Sequence, residues 1–60
     1  MKVWVLLEYT AYEGAELLGI YHEESRANEE AVKAKAAFKK RFGSPREAGK
    51  SWETHEWEVE

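Results

Sequence analysis

The sequence has no cysteine, no aspartate, a single proline and a single methionine. Lack of cysteine excludes a disulfide framework and a thiolate zinc centre, the commonest staples of very small domains. All twelve acidic residues are Glu, and no nucleophile–base arrangement is recognisable, since Cys and Asp are absent and Ser25, Ser44 and Ser51 fall at an expected helix cap or in a loop. Glycine is also scarce, with four residues and no Gly-rich phosphate loop. The longest apolar run is Val3–Leu7, far short of the roughly 20 residues needed to span a bilayer. Only Lys2 precedes that run and no small-residue cleavage site follows, which reads against a signal peptide. The expectation is a cytoplasmic protein with no membrane partner. At 60 residues a chain buries only about 60% of its unfolded surface. One small core is the limit, and a large enclosed catalytic cleft is excluded.

What is present is patterned. Residues 2–9 are rich in β-branched and aromatic side chains and read as a strand. Val3, Val5, Leu7 and Tyr9 share one face; Lys2, Trp4, Leu6 and Glu8 share the other. Residues 10–16 interrupt the alternation, with Gly14 free to take positive φ in a rather long loop. Residues 17–22 form a second strand. Residues 26–42 contain neither Pro nor Gly and read as a helix, with Ser25 as N-cap and Asn28 as its rival. At about 100° per residue, Ala27, Ala31, Ala34, Phe38 and Phe42 fall in one stripe. Lys39, Lys40 and Arg41 suit the negative end of the dipole, and Gly43 with Pro45 suits termination. Residues 44–50 make a polar loop, and residues 51–59 alternate again as a third strand.

The reading is a single α+β domain spanning residues 1–60, in ββαβ order. A right-handed crossover makes the third strand parallel to the second. The first strand then lies between them, giving a three-stranded antiparallel sheet of order 2-1-3 with one helix packed on one face. The face with Val3, Val5, Leu7, Leu18, Ile20, Trp57 and Val59 is expected to meet the helix. The face with Trp4, Leu6, Leu17, Tyr21 and Trp52 is expected to stay uncovered, with Gly19 leaving room for a neighbouring ring. An apolar patch of several hundred Å² is at or above what monomers usually expose. It therefore points to a protein interface, most simply a homodimer packed sheet against sheet.

Charge is segregated along the chain. Residues 25–50 hold eight cationic side chains against three Glu, a balance of +5, while residues 1–24 and 51–60 each stand at −4. The basic run Lys33, Lys35, Lys39, Lys40, Arg41, Arg46 and Lys50 offers an alternative reading as a nucleic-acid contact, made by Lys33, Lys39, Lys40 and Arg41. The acidic strands and the missing recognition motifs weigh against it, and a solvated helix face explains the run. Glu53, Glu56, Glu58 and Glu60 could present acid to a basic partner, but such a series also protects an edge strand from aggregation. His22 and His55, placed by parity on the helix side, are too few for a metal site. No catalytic residue and no cofactor is expected.

The run Lys2-Val-Trp-Val-Leu6, then Gly19-Ile-Tyr-His-Glu-Glu-Ser25, then Ala27 and Ala31, resembles a loose family of very small ββαβ proteins. These are often encoded by phages and bacterial mobile elements. The resemblance implies a non-enzymatic binding module, with phage-encoded inhibition of a host defence protein as the implied role. The acidic strand ends or the Tyr9–Tyr12 loop would then be the contact surface.

Overall fold

A computed structural model describes residues 1–59. The chain runs β1 (Lys2–Thr10), β2 (Gly14–Tyr21), α1 (Glu24–Phe42) and β3 (Lys50–Glu58). The sheet is antiparallel throughout, in the order β2-β1-β3, with the apolar β1 in the centre. This is the expected ββαβ arrangement, with α1 on one face.

The helix lies on the opposite face from the one expected. Trp4 Nε1 donates to Glu24 Oε2 at 3.1 Å, and Thr54 Oγ1 donates to Asn28 Oδ1 at 2.9 Å. The rings of Phe38 and Trp52 meet edge-on, 5.7 Å apart. Trp4, Leu6, Trp52 and Tyr21 thus lie beneath α1, and Leu6 is almost fully buried there. Strand parity sorts side chains into two sets but does not say which set faces the helix; packing decides. The helix presents alanines, with Ala27 fully buried and Ala31 and Ala34 half-buried. Small helix residues leave volume that only large sheet residues fill at the density of a protein interior. Trp4, Trp52 and Tyr21 supply it, and the slimmer Val and Ile residues are left on the other side with Trp57.

A β-bulge between Leu6 and Leu7 changes the phase of β2. Leu6 pairs with Gly19 and Leu7 with Leu17, so Leu18 is the extra residue. Leu17 therefore leaves the set of Trp4 and Tyr21 and joins Val5, Leu7 and Ile20. Gly19 does make room for a ring. A Cβ built there would stand 2.6 Å from the Tyr21 hydroxyl and 2.9 Å from its ring.

The ends of the elements differ from the sequence reading in detail. β2 begins at Gly14 (φ 97°), so the hairpin loop is three residues, closed by Glu13 N–H donating to the Thr10 carbonyl at 3.0 Å. Ala15 and Glu16 pair through their backbones without any apolar signal in their side chains. Tyr12, at the tip, takes φ 67° and is fully exposed. The N-cap of α1 is Glu23, with no side-chain cap bond, and Ser25 lies inside the first turn. The link of His22 and Glu23 is short enough to bring Glu24 against Trp4, which starts the helix early. Gly43 (φ 90°) ends it, its N–H donating to the Lys39 carbonyl at 3.0 Å. Phe42, expected in the packed stripe, is two-thirds exposed and rests on Phe38 at 5.0 Å. The polar loop that follows is pinned by Pro45, which is buried and whose carbonyl accepts from Lys50 N–H at 2.8 Å.

Candidate functional site

Two surfaces stand out. The first is the open face of the sheet, where Val3, Val5, Leu7, Leu17, Ile20, Trp57 and Val59 line a shallow groove of about 430 Å³. All but Val59, which follows β3, come from the three strands, brought together by the cross-strand pairs Val3–Trp57, Val5–Ile20 and Leu7–Leu17. Val3 is buried by its neighbours, whereas Trp57, Ile20 and Leu17 remain more than half exposed. Charge is sparse here. Glu53 and His55 sit beside the groove on β3, their side chains 3.8 Å apart. No element of the described chain covers this face.

Of the residues expected on the uncovered face, only Leu17 is found there. Trp4, Leu6, Tyr21 and Trp52 belong to the core beneath α1. The signal that could have separated the two sets is the alanine stripe, read as a demand for large partners rather than as a general apolar surface. His55 faces away from the helix, paired with Val5, and His22 is exposed beyond the end of β2. Among the described residues no three His or Glu side chains gather as a metal site requires. Glu60 lies outside the described residues. Among the described residues no helix is long and apolar enough to cross a membrane.

The second surface is basic, and its membership differs from the helical run read in the sequence. Lys33 is held by Glu29 and Glu30 at 3.5 Å, and the Arg41 guanidinium lies over the Phe42 ring. Lys39 instead lines a cleft of about 590 Å³ with Lys35, Arg46 and Lys50, between the last turns of α1, the 44–49 loop and the start of β3. Gly43, Pro45 and Trp52 supply its less polar wall. Lys50 Nζ donates to Thr10 Oγ1 at 2.6 Å and lies 3.7 Å from Glu8. The sequence already holds Lys35, Arg46 and Lys50 in its basic run, but which members of that run converge is decided only when the loop folds back on Pro45.

The profile of a family described as "Domain of unknown function (DUF7336)" matches residues 1–60, the whole chain, and the protein belongs to that family. No curated protein and no solved structure shows a significant match.

Proposed function

We propose that this member of the family is a binding module acting by protein contact through the open face of its sheet, and that the face is occupied by a second copy of the same chain. The observation that carries this reading is the contiguous apolar surface from Val3 to Val59, with no covering element among the described residues. Burial supplies the argument for a second copy. Among the described residues only Val3, Leu6 and Ala27, with Pro45 in the loop, are buried apolar side chains. That is little for a chain with no disulfide, and association is a standard remedy. A standard interface takes about 800 Å² from each partner, which is about a sixth of the 4763 Å² surface. The broad side of a body measuring 38 × 23 × 12 Å offers that much. Two sheets packed face to face about 10 Å apart would cover Trp57, Ile20 and Leu17 around a two-fold axis. Contact with a host protein, the role implied by the resemblance to phage-encoded modules, would fall to what such a dimer leaves exposed: the Tyr12 tip and the acidic side of β3.

Light scattering of the purified chain over a wide concentration range tests this reading. The expected result is a dimer that Trp57→Glu and Ile20→Glu each convert to a folded monomer with retained circular dichroism. A wild-type monomer at every concentration would overturn the self-association.

A further inference from the structure

The basic cleft at the end of α1 has no part in that reading and carries one of its own. Lys35 and Lys39 project from successive turns of the helix, Arg46 from the loop and Lys50 from the first position of β3. Lys35, Lys39 and Arg46 have no carboxylate within 4 Å among the described residues, while Lys50 shares its charge with Glu8. The C-terminal end of a helix contributes about half a negative charge. Subtracting that and Glu8 from four cations leaves a balance of about +2.5 in one concavity. Three of these like charges are thus held together with no carboxylate within 4 Å among the described residues to offset them. Trp52 Nε1 is the one buried side-chain donor among the described residues that lacks an acceptor. By contrast, Trp4 Nε1 has Glu24.

We infer that this cleft is a binding site for a small organic phosphate, a phosphate monoester whose dianion is held by Lys35, Lys39, Arg46 and Lys50. A monoester carries about −1.5 to −2 near neutral pH, which matches the local excess. Arg46 can grip two of its oxygens at once, and the lysines serve as point charges. The cleft lies within the roughly 300–1,000 Å³ usual for small-ligand sites, and is larger than a bare phosphate needs. Gly43, Pro45 and the Trp52 ring form the side on which the organic group would rest. A nucleic-acid strand fits less well. The cations converge rather than forming a track, since Lys33 is tied to Glu29 and Glu30 and Arg41 lies over Phe42.

The test is an NMR titration of the full chain with adenosine monophosphate, inorganic phosphate and a single-stranded oligonucleotide, following the indole N–H signal of Trp52, assigned through Trp52→Phe. A saturable shift with adenosine monophosphate, tighter than with inorganic phosphate, is expected. Arg46→Glu and Lys39→Glu should each weaken it by about tenfold or more, and Lys33→Glu should leave it unchanged. Equal affinity for inorganic phosphate would overturn the organic ligand. Equal weakening by Lys33→Glu, or tighter binding of the oligonucleotide, would show diffuse electrostatic attraction and overturn the site. Absence of any saturable shift would do the same.

Discussion

Gly19 carries a requirement out of proportion to its size. It sits opposite Leu6, the most buried large side chain of the sheet, and the Tyr21 ring lies across the space where a Cβ would be. Tyr21 is itself half-buried beside Trp4, so the ring has little room to swing away. Gly19→Ala is expected to cost about 1–3 kcal/mol, the usual range for overpacking. Urea denaturation would show it as a lower midpoint at unchanged slope. A neutral substitution would mean that Tyr21 is not fixed there. The sequence already placed a ring over Gly19, because a glycine within an otherwise apolar strand marks close approach. What parity could not supply was the ring's surroundings, since one bulge at Leu18 reassigns Leu17 while leaving Tyr21 in place.

At the scale of the element, α1 is well made along its length and poorly finished at its start. Arg26–Glu30 and Lys33–Glu29 are ion pairs at i,i+4 spacing, and Lys39, Lys40 and Arg41 complement the C-terminal dipole. Glu23 occupies the N-cap in extended conformation, yet its side chain makes no cap bond. Glu23→Ser is expected to raise stability by about 1 kcal/mol, read as a higher thermal midpoint. Ser25→Ala should change little, because Ser25 is not the cap. The helix itself was legible from its stripe and its Gly43 stop. Its first residue was not, because tertiary contacts selected the start: the Trp4 indole reaches Glu24 from a strand 20 positions away in sequence. β2 shows the same limit. Backbone pairing recruited Ala15 and Glu16, residues with no apolar alternation to announce them, and even set Glu16 directly opposite Glu8. The ion pair of Glu8 with Lys50 eases that opposition from the other side.

For the whole molecule, the strand order, the antiparallel sheet and the single helix followed from short-range pattern and crossover rules. The choice of covered face did not, because it depends on volume matched across two elements. That choice gives the molecule two unlike sides: a helical side with ion pairs and a basic cleft, and an aliphatic side with one tryptophan. If the aliphatic side pairs with a second copy, stability and association are linked. The thermal midpoint should then rise with protein concentration for the wild type, and Trp57→Glu should abolish the dependence while lowering the midpoint. A concentration-independent midpoint in the wild type would count against the pairing.

The hairpin tip has a consequence for how fast the chain reaches this structure. β1 pairs with β2 across a three-residue turn, but its pairing with β3 joins residues 40 to 56 positions apart, from Thr10–Lys50 to Lys2–Glu58. The local hairpin can close in about 1–10 µs, whereas the long-range ladder must first meet the entropy of closing a long loop. If the hairpin is the early template, the left-handed backbone of Tyr12 acts as a brake on the first step. A non-glycine residue there costs about 1–2 kcal/mol, and the exposed ring returns nothing by packing. Tyr12→Gly should therefore accelerate folding and barely alter the unfolding rate. Thr54→Ala, which removes a β3 contact to Asn28, should chiefly accelerate unfolding. The two limbs of a stopped-flow chevron would separate these effects, and a Tyr12→Gly variant that only unfolded more slowly would place hairpin closure after the barrier.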